Sequence, residues 1–482
     1  MLEDIILERK KKLEYLKEEK IEAYPVESKR TVVIADVVNQ FSLFSKSKKK
    51  FFVTGRIRNL RDQGKIIFAD VEDFSGRIQV ILKKDELKNF TGLKKTLDMG
   101  DFIEVSGKTF LTNTKQKSVA AISVKILVKS LRSLPSDFYG LENIETRLRK
   151  RYLDSLLNKE VRDMFVKKSV FWKSVREFME GNNFMEVETP VLESIPGGAE
   201  AEPFKTHHNA LDEDFYLRIS LEIALKKMMV GGFEKIYEIG RIFRNEGIDA
   251  EHLQDYTQCE FYWAYSDYQP LMKFVEKLYK FIIKKTLGTL SLNWQGKKIN
   301  WGGKWQIVDY CKVFKKENGF DPIEATRDQL LQHAHKLGVK IDPHLGKGRL
   351  IDLIYKKTVR IKLIQPTLLI NPPALVEPLA KRSSNNSEVV ERFQVVACGT
   401  ELGKGFSEAN DPLDQRARFE EQMKLRAGGD KEAQMLDEDF LEALEYGMPP
   451  TAGFGFSERL FAILMDKPIR ETVFFPPMKR KI

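Results

Sequence analysis

Cysteine is scarce: Cys259, Cys311 and Cys398 are the only three in 482 residues. They lie far apart and match no metal-ligand spacing, which excludes a disulfide-stapled scaffold or a zinc ribbon and fits a reducing cytoplasm. No apolar run reaches the roughly 18 residues of a membrane span. The first residues, Met1-Leu-Glu-Asp-Ile-Ile-Leu-Glu-Arg-Lys, carry acids early, so no signal-peptide core is expected there. No Gly-x-x-x-x-Gly-Lys-Ser/Thr loop occurs, which argues against a P-loop ATPase. A His-Ile-Gly-His element and internal repeats are also lacking.

Hydrophobic residues make up 42% of the chain, enough for a sizeable core, and the length allows about three domains of ~150 residues. The net charge of +10 is unevenly placed. Residues 1–150 hold 31 Lys and Arg against 21 Asp and Glu, and the remaining 332 hold 49 of each. A basic module joined to a neutral body suggests a polyanion-binding appendage on an enzyme.

Residues 1–24 read as an amphipathic helix with a solvated charged face, ending before Pro25. Lys46 to Lys50 is a basic loop. From Phe51 to Val128 short strands alternate with turns: 51–58, 65–72, 77–82, 101–108 and 118–128, with a candidate helix at 85–97 between the third and fourth. That is the order of an OB barrel, which binds single-stranded nucleic acid by stacking bases on aromatics in a basic groove. Phe68 and Gln79 fall on adjacent strands, with Arg56, Arg58 and Arg61 expected beside them. Leu131 to Pro135 reads as a linker. After Phe184 strands and helices mix without a repeating βαβ series, which predicts an α+β body with an antiparallel sheet. The expected division is a helix over 1–30, a barrel over 31–135 and a catalytic body over 136–482, with a mostly helical insertion at 270–360.

The most informative stretch is Phe243-Arg244-Asn245-Glu246 followed by Tyr256 to Trp263. In the second run Thr257, Cys259, Phe261 and Trp263 face one way, and Tyr256, Gln258, Glu260 and Tyr262 the other. A hairpin with Lys235–Phe243 would present Arg244, Glu246, Glu260 and Tyr262 on one floor. An Arg there can hold a phosphate bidentately, and a buried Glu can pair with a cation. Gly197 and Gly198 in Ile195-Pro-Gly-Gly-Ala199 allow close approach of backbone amides to a ligand. Glu222 interrupts an apolar run that can begin a helix. Val395 to Glu408 reads as one strand carrying Glu401, with Gly403 and Gly405 leaving room for a bulky ligand. Glu401 and Glu408 can share Mg²⁺ if phosphate oxygens complete its shell. Gly453-Phe-Gly455-Phe-Ser-Glu458-Arg459 reads as a glycine-bearing strand entering a helix, with Arg459 placed to meet an anion.

The order Pro190, then Phe243 to Glu246, then the glycine-rich strand with Arg459, resembles the three motifs of class II aminoacyl-tRNA synthetases. The N-terminal OB barrel narrows the resemblance to the aspartyl, asparaginyl and lysyl subgroup. Arg151-Tyr-Leu-Asp154, Phe184-Met-Glu-Val-Glu-Thr-Pro190, Ile195 to Ala199, Thr206-His-His-Asn-Ala-Leu211, Val230-Gly-Gly-Phe-Glu234, Leu363-Ile-Gln-Pro-Thr367 and Glu442-Ala-Leu-Glu-Tyr-Gly447 are similar to the lysyl branch.

The resemblance implies that ATP and lysine condense to lysyl-adenylate and that the lysyl group passes to the 3′ end of tRNA(Lys). It implies a cytoplasmic homodimer with the Pro190 region at the subunit interface. Arg244, Glu246 and Arg459 would act in catalysis; Arg244, Glu246, His252, Tyr256, Glu401 and Arg459 would bind ATP. Tyr256 would stack on adenine where the family usually has Phe. Gly198, Glu222, Glu260, Tyr262 and Asn410 would bind lysine, Glu401 and Glu408 would carry Mg²⁺, and Phe68, Gln79 and Arg61 would read the anticodon. Aspartate would instead require cations where this chain offers acids. Two departures stand out. The last motif is one residue short and lacks its third glycine, and Ser123 and Lys125 occupy a neighbourhood where the family often has an acid. They leave open an RNA-binding paralogue without catalysis, and a ligase that lysylates a protein is a third reading.

Overall fold

The computed structural model describes residues 2–47, 50–135, 141, 143–247, 252–339, 345–430 and 433–480. Residues 48–49 of the basic loop and 248–251 of the polar loop after Glu246 therefore lie outside the described residues. The chain divides into two compact units, Met1–Gly140 and Leu141–Ile482.

The first unit begins with α1 (Leu2–Glu18), shorter than expected because the chain turns at Lys20, where φ is 56°. Its charged face is not simply solvated. Arg9 is buried and donates to the carbonyls of Met99, Ser130 and Arg132 at 3.0–3.1 Å, while Leu16 enters the barrel core. The strands β1 (Phe51–Asp62), β2 (Ile66–Glu72) and β3 (Arg77–Lys83), the helix α2 (Phe90–Thr96), then β4 (Phe102–Leu111) and β5 (Lys117–Val128) form a closed barrel in the order β1-β2-β3-β5-β4. Inward residues recur with period two, Ile67, Ala69 and Val71 on β2 for example, as a half-buried strand requires. The OB order read from the sequence, including the helix between the third and fourth strands, is what forms.

The second unit is built on one eight-stranded sheet. Its elements are α3 (Lys159–Gly181), β6 (Met185–Glu186), α4 (Glu222–Val230), β7 (Lys235–Phe243), β8 (Asp255–Ala264), α5 (Tyr268–Leu287), β9 (Gln306–Asp309), α6 (Lys347–Thr358), β10 (Thr367–Ile370), β11 (Arg392–Ala397), β12 (Thr400–Ser407), α7 (Pro412–Ala427), β13 (Thr451–Ser457) and α8 (Arg459–Leu464). The sheet order is β9-β10-β11-β12-β13-β8-β7-β6, antiparallel apart from the two end pairings. Phe171, Val175 and Met179 of α3, and Leu271, Val275, Leu278 and Ile282 of α5, recur at helical spacing and cover one face of the sheet. Asp267 caps α5, accepting from the amide of Gln269 at 2.7 Å, and Gly288 ends it at φ 75°. Thus α5 belongs to the central core, whereas the helices after β9, including α6, bury their own cluster around Phe314, Leu350 and Ile354. The opposite face is partly covered: side chains of α4 and α7, with Phe440, Leu441 and Leu444, cluster against Ile236, Ile242, Tyr262 and Phe406 of the sheet.

Two expectations for Val395–Glu408 are corrected. The stretch is a hairpin, because Cys398 and Gly399 take φ of 56° and 71° in succession and reverse the chain between β11 and β12. Gly403 and Gly405 open no room for a ligand: a side chain on Gly403 would meet Phe454 and Tyr279 within 2.5–2.7 Å, and one on Gly405 would meet Phe454. They make space for core aromatics.

Candidate active site

A cavity of about 810 Å³ opens on the face of the sheet opposite α3 and α5. The alternation read in β8 holds: Tyr256, Gln258, Glu260 and Tyr262 all line this cavity, and Cys259 and Phe261 are buried in the core behind them. Arg244 and Glu246, just past the end of β7, line it too, as do Gly198, Glu222, His252, Glu401, Glu408 and Arg459. Asn410 does not: its side chain donates to the carbonyl of Met448 at 3.1 Å and accepts from Lys381 at 2.8 Å, outside the lining.

The register explains the shape of the floor. Tyr262 of β8 and Phe406 of β12 both stand opposite Gly453 of β13, and Glu260 and Lys404 both stand opposite Gly455. Residues directly opposite one another share a face of the sheet. The glycines are therefore the bottom of a trough between β8 and β12. A side chain on Gly453 would collide with Tyr262 at 2.5 Å and with Glu408, and one on Gly455 would press on Glu260 at 3.2 Å. The shortened last motif thus keeps glycine at the positions under the substrate-facing side chains. Ser457 pairs with Gln258 and lines the cavity where a third glycine was expected, and Arg459 still reaches the same cavity, its guanidinium 3.4 Å from the carbonyl of Glu401.

Glu401 joins the trough through a bulge. Val395 pairs with Gly403 and Val396 with Glu401, so Leu402 is an extra residue on β12 and Glu401 rotates onto the face that Lys404, Phe406 and Glu408 share. Its Oε2 accepts from Gln394 at 2.5 Å.

The acids of the floor are held from below. Oε1 of Glu260 accepts from Ser220 Oγ at 2.7 Å, the Leu221 amide at 3.1 Å and Gln258 at 2.5 Å, and Oε2 accepts from the Tyr262 hydroxyl at 3.2 Å. Gly198, at φ 82°, packs so closely on Ser220 and Glu222 that a side chain there would lie 2.8 Å from Glu222 Cβ. Burial pushes the Tyr262 hydroxyl far above its usual pKa, and the neighbouring acids add to this, so it remains a donor.

Sequence reasoning missed Lys226. Its ammonium is fully buried, 2.6 Å from Glu222 Oε1 and 2.5 Å from Glu408 Oε2. Burial works against its charge, but Glu222 and Glu408 more than offset that and raise its pKa. Burial pushes both carboxyls upward, and Lys226 draws them back. The available signal was its place one turn after Glu222 in α4. Glu408 Oε1 is buried and has no hydrogen-bond partner, as an oxygen awaiting a cation would be. Among the described residues no group of three or more His, Cys, Asp or Glu is arranged to hold a metal. Glu401 and Glu408, the expected magnesium ligands, both line the cavity, and such an ion would take the rest of its shell from phosphate oxygens and water.

In the first unit, Phe68 lies opposite Arg61, whose guanidinium is 5.7 Å from the ring centroid, and Gln79 lies opposite Asp70. Gln79 is largely buried and accepts from Ser118 at 3.1 Å. The other two arginines are engaged further along the same strands. Arg58 is the bulge residue of β1 and is buried beside Glu72, 3.5 Å away, on the face of β2 that carries Phe68 and Asp70, and Arg56 stacks on Phe102.

Residues 143–479 match the family described as tRNA synthetases class II (D, K and N), and residues 51–134 match the OB-fold nucleic acid binding domain. Proteins named lysine–tRNA ligase are similar along their whole length. The one from Moorella thermoacetica is 41% identical over 99% of this chain and 98% of its own. That from Carboxydothermus hydrogenoformans is 41% identical with the same coverage, and that from Bacillus mycoides is 39% identical over 100% of this chain and 98% of its own.

Proposed function

The chain belongs to the class II tRNA synthetases (D, K and N), and from that membership we propose that it is a lysine–tRNA ligase, activating lysine with ATP and passing the lysyl group to the 3′ end of tRNA(Lys). The observation that carries the choice of amino acid is the buried carboxylate of Glu260 beside the Tyr262 hydroxyl, with Glu222 and Glu408 close by. A pocket lined with acids and a phenol offers an ammonium what it needs on leaving water. It offers a carboxylate side chain the wrong charge, which sets lysine apart from aspartate.

Arg244 reaches the cavity from the segment after β7 and Arg459 from the start of α8, and they hold the phosphates of ATP, stabilising the charge that develops as lysine attacks the α-phosphate. Tyr256, 5.8 Å below the Arg244 guanidinium, stacks on adenine, and Glu246 and His252 contact the nucleotide. Glu401 and Glu408 would hold Mg²⁺, which would supply neutralisation of phosphate charge. No protein nucleophile is needed. Phe68, Gln79 and Arg61 read the anticodon. The protein works in the cytoplasm as a homodimer with the Pro190 region at the interface, and sedimentation of an active monomer would refute the dimer. Among the described residues no helix is long and apolar enough to cross a membrane.

The test is ATP–pyrophosphate exchange with lysine, aspartate and asparagine in Mg²⁺. Exchange with lysine alone is expected. No exchange with any of the three, in folded protein that binds tRNA, would leave an RNA-binding protein without catalysis.

A further inference from the structure

Lys404 faces the same trough and has no role in the scheme above. Four strands define its place. Gln394 of β11, Lys404 of β12, Gly455 of β13 and Glu260 of β8 stand directly opposite one another in register, a single row across the sheet. With no side chain on Gly455, the row has a notch two strand spacings wide, about 9–10 Å between backbones. A cation stands on one rim and an anion on the other.

The lysine is held in place and left open. Its ammonium is 2.9 Å from Glu377 Oε2, and 35% of its side-chain surface is accessible. Glu377 is buried and shared, since Arg392 Nε lies 3.3 Å from the same oxygen. The carboxylate is thus divided between two cations, and Lys404 keeps an accessible side that Glu377 does not cover. Burial opposes the charge of Lys404, but Glu377, Glu222 and Glu401 together outweigh it, so its pKa is raised and the ammonium persists. The bulge at Leu402 brings Glu401, and with it Arg459, to the neighbouring part of β12.

We propose that Lys404 binds the carboxylate of the amino-acid substrate, across the Gly455 notch from Glu260, which takes an ammonium of the same molecule. The inference rests on the amino-acid-activating reading above and adds a residue to it. The row Lys404–Gly455–Glu260 matches the opposite charges at the ends of a zwitterion. It aims the reacting carboxylate toward the side of the trough where Arg459 meets Glu401. An ammonium facing a carboxylate is a charge-assisted contact, stronger than a neutral one.

The test is equilibrium binding of lysine, lysinamide and 1,5-diaminopentane, without ATP, to wild type, Lys404→Gln and Lys404→Arg. Diaminopentane keeps both amines and lacks the carboxylate; lysinamide carries a neutral amide in its place. Wild type is expected to bind lysine at least about tenfold more tightly than either. Lys404→Gln should weaken lysine about tenfold to a hundredfold and leave diaminopentane within about twofold, and Lys404→Arg should recover most of the loss. A purely structural role for the Lys404–Glu377 pair would weaken all three ligands together. An unchanged lysine-to-diaminopentane ratio in Lys404→Gln overturns the inference. Should that variant not fold, equal affinity of wild type for lysine and lysinamide overturns it. Absence of any lysine binding by wild type defeats the broader functional reading instead, and is distinguishable on that ground.

Discussion

Lys226 donates to Oε1 of Glu222 across 2.6 Å, one turn along α4, with both side chains buried. With Glu408 on its other side, this ammonium keeps two acids together beneath a cavity whose ligand is itself cationic. The pocket therefore holds an excess of carboxylate that its own lysine only partly cancels.

Replacing Lys226 with Met should cost about 3–5 kcal/mol of folding stability, because two buried carboxylates lose their shared partner. Urea unfolding measures it. A loss below ~1 kcal/mol would mean that the acids are already neutral. Adding Glu222→Gln to Lys226→Met should restore part of the loss.

Gly453→Ala should abolish lysine activation and leave the sheet intact. The added methyl would meet Tyr262 at 2.5 Å and the Glu408 carboxylate, both on the ligand side, and the backbone there does not need positive φ. Pyrophosphate exchange near wild-type level in this variant would show that the trough floor is not used.

Glu260→Gln should keep the fold and raise the lysine KM strongly, by about tenfold or more, since the charge that faces the ammonium is removed. Exchange kinetics at varied lysine check this, and an unchanged lysine KM would remove Glu260 from the pocket.

Phe68→Ala should weaken tRNA charging and spare pyrophosphate exchange. Stacking of one base on an aromatic ring contributes about 1–3 kcal/mol. Equal loss in both assays would place the lesion in the fold of the barrel rather than in RNA contact.

Glu193 offers a pH test. Burial pushes its carboxyl up to about 8, against the pull of Arg218 and with the help of Asp437, and its Oε2 has no hydrogen-bond partner. The folded state holds this proton more tightly than the unfolded chain, whose group titrates near 4.5. The stability it contributes is full below that value and falls as pH rises to about 8. Denaturation midpoints of wild type and Glu193→Gln should diverge between pH 5 and 8.5, the variant gaining at the high end. Parallel curves would sink the prediction.

Local pattern alone determined much of this protein. The period of two in Tyr256 to Trp263 fixed which side chains of β8 face the cavity, because a strand alternates whatever it packs against. The five short strands with a helix before the fourth determined the barrel, and the glycines of the last motif marked a floor. What only the tertiary structure decided depends on register and on irregularities that break the pattern. The two positive φ values at Cys398 and Gly399 turned one apparent strand into a hairpin. One extra residue at Leu402 put Glu401 on the ligand face, and one at Arg58 buried an arginine beside Glu72. Lys226 and Lys404 gain their meaning from carboxylates far away in sequence, Glu408 and Glu377 among them, that the folding of the sheet brings within 3 Å. Alternation is a property of neighbouring residues and is written in the chain; the partner of a buried charge is set by strands that meet only when the whole sheet has formed.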